Sequence, residues 1–286
     1  MTAYNQKYTY NLSLFERPSA VTYYMLGVFL TDGNVHKSLN NCNIYSKDGE
    51  WLQSLATTIC PTLKITNRKD RNCFYFNVCN QAIVSWLVSQ NCVPNKSLTV
   101  KMPPNIPKKY ISHFLRGVID GDGYVSCYQR KRDKDSNNQR FILDIGITTA
   151  SKVFADSLLS LFCELGVRAK IRSRKKAKAH HNPLYDVRCN ASEALKLCQI
   201  IYRDKNLFLD RKYKAFTTYI DRRAVYEKLS KTRGINNVSG DRYGDPTKLI
   251  DLISAHGYQY VADMFGVTQS AVIQKLQRLG LQKPKA

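Results

Sequence analysis

Two aspartates stand at matching positions of a short pattern that the chain contains twice. Asp122 is the eighth residue of Leu115–Gly123 (LRGVIDGDG), and Asp32 is the eighth residue of Met25–Gly33 (MLGVFLTDG). Each copy is an apolar run that ends in an acid and a glycine. Carboxylates are hard oxygen ligands for Mg²⁺ or Mn²⁺, and a carboxylate pair with such ions can hydrolyse phosphodiester bonds.

The apolar residues before each aspartate predict the element that positions it. They follow the spacing of one helical face, with apolar residues recurring every three or four positions. They are Val21, Tyr24, Met25, Val28 and Phe29 in one copy and Ile111, Phe114, Leu115, Val118 and Ile119 in the other. We therefore predict two apolar helices, each with an aspartate at its C-terminal end and a left-handed glycine cap at Gly33 or Gly123.

This placement of the acids favours a metal site. An acid at the C-terminus of a helix faces the negative end of the helix dipole, which costs up to about 1 kcal/mol. If the two helices pack through matching faces, their carboxylates also repel each other unless a cation lies between them. One Asp-Gly pair after an apolar run is most often a turn. Two copies in the same register favour a divalent-cation site at Asp32 and Asp122, with the carbonyl groups of Thr31 and Gly121 as additional ligands.

The charge balance predicts a polyanionic partner. With 44 basic and 22 acidic residues, the chain has a formal net charge of +22, which favours nucleic acid. No apolar run approaches the roughly 18 residues of a membrane span, so we expect no membrane partner. The N-terminus lacks a secretory apolar segment, and the nine cysteines include no CxxC pair. We therefore expect reduced thiols, no zinc, and an intracellular reducing location such as the cytoplasm, the nucleoid or an organelle matrix.

The order of the predicted elements repeats along the chain. Both halves show a helix, two strands, a helix, two strands and a helix, which predicts an α+β fold of two pseudo-symmetric αββαββα repeats. The first repeat with its lead-in covers residues 1–108, and the second covers 109–225. A linker at 226–245 and a small all-α unit at 246–286 follow.

Basic residues concentrate in one predicted hairpin of each repeat. They are Lys64, Arg68, Lys69 and Arg71 in the first repeat and Arg168, Lys170, Arg172, Arg174 and Lys175 in the second. The first four cations of the second hairpin alternate along a strand and so share one face, with no acid nearby in the sequence. Such a β-ribbon fits the major groove of DNA, where Arg contacts guanine edges and Lys contacts phosphates. A solvated charged hairpin is the alternative.

The last unit has the pattern of a helix-turn-helix. Three segments with apolar residues at helical spacing are separated at 256–257 and at 266–268. The glycine-containing turns between them are typical of that motif. The third helix would present Gln269, Ser270 and Gln274 to a DNA groove. A three-helix protein-interaction module is the alternative.

The paired pattern resembles the two motifs of a single-chain, two-repeat LAGLIDADG homing endonuclease, and residues 246–281 resemble the helix-turn-helix family. The first likeness covers about residues 12–225. The second motif matches closely, whereas the first departs at Leu30, where the family has an acid, and at Thr31, where it has a smaller residue. The family's essential acid is the eighth residue, which is aspartate in both copies.

The resemblance implies curved antiparallel sheets that bind DNA, a monomeric protein and a role in intron mobility. The implied reaction cuts a long, asymmetric site in double-stranded DNA across the minor groove, with Mg²⁺ or Mn²⁺, and leaves short 3′ overhangs. By the same likeness, Lys96 and Lys212 lie near the scissile phosphates. Lys47 in the first half, and Thr149 or Ala150 in the second, align with a position that organises solvent. A plain phosphate contact is the alternative for each lysine, and for Lys47 it is the favoured one.

Other functions fit the same pattern. An RNA maturase would bind an intron RNA, with or without the acids. A transcription regulator would join a degenerate LAGLIDADG-like domain to a helix-turn-helix. A pure binder does not need acids at unfavourable helix ends, which favours the nuclease. An intein is disfavoured, because no Cys or Ser start and no terminal His-Asn pair frame the chain.

Overall fold

Both repeats have the predicted order of helices and strands. A computed structural model of the chain describes residues 8–131, 139–174, 182–232, 246–265 and 268–278, and it divides into two units, Met1–Tyr219 and Ile220–Ala286. After the short helix α1 (Ser13–Glu16), the first repeat consists of α2 (Ala20–Thr31), β1 (Gly33–Val35), β2 (Cys42–Ser46), α3 (Gly49–Ile59), β3 (Thr66–Arg68), β4 (Cys73–Val78) and α4 (Gln81–Ser89). The second repeat consists of α5 (Ile111–Asp120), β5 (Gly123–Lys131), β6 (Gln139–Thr149), α6 (Lys152–Glu164), β7 (Lys170–Arg174), β8 (Leu184–Asn190) and α7 (Ala191–Tyr202).

Each repeat contains one four-stranded antiparallel sheet with the same strand order. The order is β1-β2-β4-β3 in the first repeat and β5-β6-β8-β7 in the second. The register also matches, since Gly33 pairs with Ile44 and Gly123 pairs with Ile147. A single hydrophobic core runs through both repeats. In the described part of the chain, no helix is both long enough and apolar enough to span a membrane.

Helices α2 and α5 cross in direct backbone contact. A Cβ atom added at Gly27 would lie 2.3 Å from the carbonyl oxygen of Phe114, and one at Gly117 would lie 2.1 Å from that of Tyr24. Only glycine permits so close an approach. The predicted apolar faces of both helices are buried or partly buried, and in α2 every residue of Thr22–Leu30 is buried. The two helices therefore hold the repeats together.

Gly33 and Gly123 begin strands and do not cap helices. The predicted left-handed caps are wrong, because the glycines with positive φ among the described residues lie elsewhere in the chain. A Cβ atom at Gly33 would lie 2.6 Å from the Cα atom of Phe29, and one at Gly123 would lie 2.6 Å from that of Ile119. Each glycine thus lets its strand leave the helix end while folding closely against the preceding turn.

Helix α8 (Asp210–Thr232) is an element that the sequence pattern does not predict. The expected linker begins at residue 226, and α8 continues through its first residues, 226–232, while 233–245 lie outside the described residues. Aromatic contacts attach the start of α8 to α7, since Tyr202 packs edge-on against Tyr213 and stacks on Phe216. These contacts come from the fold and not from a continuous apolar stripe in the helix.

The second unit has a small core of its own. Helix α9 (Pro246–Phe265) breaks at Gly257, where φ is 82° and ψ is 168°, so it consists of two helices. Helix α10 (Gln269–Arg278) follows. The residues of this core are Leu249, Ile253, Val261, Ala262, Val272 and Leu276. The three predicted helices are confirmed, and residues 266–267 of the second predicted break, 266–268, lie outside the described residues.

Candidate active site at the paired helix ends

Asp32 and Asp122 lie together where α2 and α5 end. Helix α2 ends at Thr31 and α5 ends at Asp120, and the two carboxyl groups are close enough for each to shift the pKa of the other. Solvent reaches Asp122, while Asp32 is half-buried. The prediction that two apolar helices bring their terminal acids together is confirmed.

The carboxyl pair favours a bound proton well above the usual range for aspartate. Burial, followed by the charge of Asp122, raises the pKa of Asp32 to about 7 against the opposing charges of Lys212 and Lys96. The packed protein around Asp122 raises its pKa as well. Two carboxylates this close do not both ionise easily without a cation. The described residues contain no larger cluster of His, Cys, Asp and Glu that could hold a metal ion.

Lys212 is buried behind the end of α5. It is 3% exposed, and its Nζ atom donates to the carbonyl oxygens of Ile119, Asp120 and Gly121 at 2.7, 2.7 and 2.9 Å. All three N–H bonds of the ammonium group are thus used, and burial lowers the pKa of Lys212 to about 8. This arrangement leaves Lys212 no further N–H for a phosphate oxygen and makes it an electrostatic neighbour of Asp122. It also disfavours the Gly121 carbonyl as a metal ligand, because an ammonium group at that oxygen repels a second cation.

A small cavity beside the carboxyl pair collects other predicted site residues. Its volume is about 130 Å³, and its lining includes Thr31 and Lys96 from the first repeat and Thr149 and Ala150 from the second. Lys96 is 7% exposed, and its Nζ atom donates to the carbonyl oxygen of Gly33. The cavity has room for several water molecules. Lys96 therefore combines a fixed position with access to the space next to the acids.

Lys47 lies away from its predicted role, whereas Thr31 lies where its predicted role requires. Lys47 is exposed in the turn after β2, and the lysines whose charges act on the two carboxyls, among the described residues, are Lys96 and Lys212. The structure therefore does not support Lys47 as an organiser of solvent at the acids. Thr31 lies at the site, but its hydroxyl donates to carbonyl oxygens one turn back in α2. Its own carbonyl oxygen remains the candidate ligand.

A buried hydrogen-bond network beside the site was missed in the sequence. Asp120 is 1% exposed, and its Oδ2 atom accepts from the Tyr24 hydroxyl at 2.8 Å and from the Leu209 N–H at 2.9 Å. The Tyr24 oxygen accepts from Trp51 Nε1 at 2.8 Å. Burial raises the pKa of Asp120 to about 6. The first repeat has Leu30 at the matching position, so the network is one-sided, and that mismatch was the only signal for it in the sequence.

The second sheet carries acids next to its cations. Lys170 and Arg172 are exposed on β7, as predicted. Arg168 lies before β7, and its guanidinium group donates twice to Glu193, at 2.9 and 3.1 Å. Arg172 stands directly across from Asp186 of β8. The fold thus brings acids from distant parts of the sequence against two of the four predicted cations, Arg168 and Arg172.

The other predicted cations have mixed positions. Arg174 is the last residue of β7, and Lys175 lies outside the described residues. In the first repeat, Arg68 pairs with Asp70 at 2.7 Å. The exposed cations near that hairpin are Lys64, Lys69 and Arg71.

The polar residues predicted to face a groove are exposed on α10. These are Gln269, Ser270 and Gln274, and the latter two lie opposite the buried Val272 and Leu276. Both a DNA-binding unit and a protein-interaction module have such an exposed face. The helix-turn-helix therefore remains a prediction.

Comparison with known proteins finds a family model that matches the second repeat. Residues 109–202 match the family model of the LAGLIDADG-like domain. The solved structure of I-SmaMI, bound to an uncleaved DNA target in the presence of calcium ions, is 15% identical to this chain. The match covers 75% of this chain and 93% of the I-SmaMI chain, with a TM-score of 0.52. The LAGLIDADG meganuclease I-AabMI bound to uncleaved DNA is 13% identical to this chain. The match covers 73% of this chain and 92% of I-AabMI, with a TM-score of 0.50. At such identities the likeness shows the fold, which is the two-repeat LAGLIDADG fold.

Two curated relatives match a smaller share of their length. The probable translation initiation factors IF-2 of Thermococcus kodakarensis and Methanocaldococcus jannaschii are each 27% identical to this chain, over 159 and 161 residues. The matches cover 52% and 54% of this chain but 12% of each relative. The chain thus spans a minor part of these relatives, and their function does not carry over to it.

Proposed function

We propose that this two-repeat LAGLIDADG protein is a site-specific endonuclease that hydrolyses double-stranded DNA with divalent metal ions. The observation that carries the proposal is the shared position of Asp32 and Asp122, whose carboxyl groups meet at the ends of two helices. A protein that only binds nucleic acid gains nothing from two acids that oppose each other's charge. A nuclease needs such a pair to hold cations beside a phosphate.

The donor set fits Mg²⁺ or Mn²⁺. The carboxylate oxygens of Asp32 and Asp122 and the carbonyl oxygen of Thr31 are hard ligands. The raised pKa of both acids indicates a place where a cation would replace a proton. Because Mg²⁺ keeps water and substrate phosphate oxygens among its ligands, few protein ligands are needed once DNA is present. A metal ion held there would activate water and stabilise negative charge on the phosphate.

The residues around the acids would orient the phosphate and the attacking water. Lys96 lines the cavity beside Asp122, where its ammonium group would stabilise negative charge on a phosphate oxygen. The Thr149 hydroxyl accepts from the Ser151 N–H at 3.2 Å, so its own O–H would be directed at a water in the same cavity. Lys212 acts through its charge, which favours the ionised form of both acids.

Double-stranded DNA is the proposed partner because both the net charge of the chain and its fold favour it. The net charge of +22 favours a polyanion, and the exposed hairpin cations would contact phosphates. The two meganucleases of similar fold are described as bound to uncleaved DNA. Since one chain holds two unequal repeats, we propose a monomer that cuts a long asymmetric site, leaves short 3′ overhangs and serves intron mobility.

Mg²⁺-dependent cleavage is the direct test of this function. The full chain would be incubated with supercoiled plasmids that carry duplexes selected for binding from a randomised pool. We expect linear products in Mg²⁺ or Mn²⁺ and none in EDTA, with 3′ overhangs mapped by sequencing of the ends. Tight DNA binding without any cleavage would support the transcription regulator instead. Selective binding of a structured RNA would support the maturase.

Removal of residues 246–286 should shorten the recognised site without ending cleavage. The carboxyl pair belongs to the first unit, Met1–Tyr219, and α10 belongs to the second, so loss of the tail removes DNA contacts and not chemistry. Binding should weaken by about tenfold or more, and the nuclease-protected footprint should become shorter. A full-length variant with Ser270 and Gln274 both changed to Ala is the matched control and should show a similar loss of binding. An unchanged footprint would exclude a DNA-binding role for the tail.

A further inference from the structure

We infer that the two sheets read different bases at equivalent places of the target: A·T pairs by three asparagines of the first repeat, and a guanine by Arg188 of the second. The inference rests on the proposed function, since it concerns the DNA that the nuclease would cut. The residues involved are polar side chains in the sheets, outside the basic hairpins.

Three asparagines form a row straight across the first sheet. Asn34 of β1 pairs with Asn43 of β2, and Asn43 pairs with Asn77 of β4. Neighbouring strands are about 4.8 Å apart, so the row extends over roughly 10 Å, the length of about three base-pair steps. Three identical side chains at adjacent ladder positions thus present one chemical surface.

The row faces away from the hydrophobic core. Along β2 and β4 the buried residues alternate with these asparagines, since Cys42 and Ile44, and likewise Phe76 and Val78, are buried. Asn34 is exposed. The next row outward on the same face contains Tyr45 and Tyr75, whose rings stack with centroids 5.2 Å apart. This face therefore combines amide groups with aromatic rings, and the core does not account for it.

The fold makes little use of two of these amide groups, those of Asn43 and Asn77. The Asn43 Oδ1 atom is buried and has no hydrogen-bond partner among the described residues. The Asn77 Nδ2 atom donates to the Cys79 Sγ atom at 3.1 Å, a weak acceptor. An unsatisfied buried amide oxygen destabilises a fold, so that of Asn43 points to a ligand that supplies the missing donor. The adenine edge in the major groove offers N6–H as donor and N7 as acceptor, which an asparagine amide matches with two hydrogen bonds.

The equivalent row of the second sheet has different chemistry. Tyr124 pairs with Gly146, and Gly146 pairs with Arg188, at the ladder positions that Asn34, Asn43 and Asn77 occupy in the first sheet. Gly146 leaves room for the ring beside it, because a Cβ atom there would lie 2.8 Å from the Tyr124 hydroxyl oxygen. The row therefore ends in one guanidinium group, without any amide.

Arg188 is positioned by an acid from the neighbouring strand. Its Nη2 atom donates to Asp144 Oδ2 at 2.7 Å, and its side chain is 24% exposed. A guanidinium held in this way loses less entropy on binding and can donate to O6 and N7 of guanine. Both rows start two residues after a motif aspartate, at Asn34 and Tyr124. They therefore lie next to the carboxyl pair, and the bases they read are those nearest the cut bonds.

The experiment replaces each row in turn and measures base preference at single positions. A duplex is first selected from a randomised pool by binding to the full chain in Ca²⁺, and every base pair near the cut is then varied and cleaved in Mg²⁺. We expect A·T pairs to be required on one side of the cut and a guanine on the other. In Asn43→Ala and Asn77→Ala, the preference for A·T should fall by about 5- to 150-fold, the discrimination of one good amide–adenine pair.

Variants of each repeat serve as controls for the base preference of the other repeat. Asn43→Ala should keep the guanine preference of the second half-site, and Arg188→Ala should lose it while keeping the A·T preference of the first. Asn105→Ala, an exposed asparagine of the segment between the repeats, should keep both. Cleavage with base preferences that these variants leave unchanged overturns the inference and leaves the nuclease intact. Failure of the unaltered chain to cleave any selected duplex overturns the proposed function and this inference with it.

Discussion

Asp122→Asn should abolish DNA cleavage while DNA binding persists. The asparagine has nearly the same shape but no negative charge, so it cannot hold a divalent cation as the carboxylate does. We expect the single-turnover cleavage rate to fall by about 10³-fold or more, as when a main source of transition-state stabilisation is lost. Gel-shift titration on the same duplex should give an affinity within a few fold of the unaltered chain, because the sheets that we propose to contact DNA are unchanged.

Asp32→Asn tests whether the divergent first motif serves the same chemistry. The first motif has Leu30 and Thr31 before its acid, yet the charge of Asp122 raises the pKa of Asp32, so the two carboxyls lie close together. We therefore expect an equal loss of cleavage. A variant at either position that still cuts at the normal rate would disprove the two-carboxylate mechanism.

The same variants should make the metal-free protein more stable at pH 8. The pKa of Asp32 is raised to about 7 in the fold, whereas it is about 3.9 in an unfolded chain. As the pH rises, the Asp32 carboxyl therefore loses its proton in the unfolded chain before it does so in the fold. Its contribution to the free energy of unfolding is fully present below pH 4 and is lost as the pH rises through 7. Asn cannot ionise and avoids this loss. Urea unfolding in EDTA at pH 8 should show a higher midpoint for Asp32→Asn, which separates lost chemistry from lost folding.

Much of this site could be predicted because its pattern is local and repeated. The spacing of Tyr24, Met25, Val28 and Phe29 predicts a helix by itself, and the second copy shows that the helix belongs to a pair. Two apolar helices of the same register bury their faces most readily against each other, and that packing alone brings the terminal acids together. The paired carboxyls thus follow from side-chain spacing without any knowledge of distant residues.

The remainder depends on contacts between residues far apart in the sequence. The three carbonyl oxygens that bind Lys212 are more than 90 positions away, and Glu193 is 25 positions from the Arg168 that it holds. A charged strand therefore looks free in the sequence, although the fold places acids against it. Helix α8 has the same origin, since Tyr202 of α7 packs against Tyr213 and Phe216 in its first turns.

Gly117→Ala should destabilise the fold by about 3 kcal/mol or more, at the upper end of what overpacking costs. The added Cβ atom would lie 2.1 Å from the carbonyl oxygen of Tyr24 and 3.1 Å from the Cα atom of Gly27. These are backbone atoms, so no side-chain rotation relieves the clash, and α2 and α5 must move apart. Urea denaturation followed by circular dichroism measures the loss. Cleavage should fall with it, because the separation of the helices also separates Asp32 from Asp122.

Gly49→Ala is the matched control for this prediction. It makes the same change in the first turn of α3, but there the nearest atoms, at 3.0 Å, belong to the ring of Phe74. A side chain at a sheet surface can shift, and alanine favours a helix over glycine by about 1 kcal/mol, so the two effects should nearly cancel. If Gly117→Ala proved as stable as Gly49→Ala, the helices would not be in backbone contact. The carboxyl pair would then need another explanation, since that contact is what fixes the distance between the two acids.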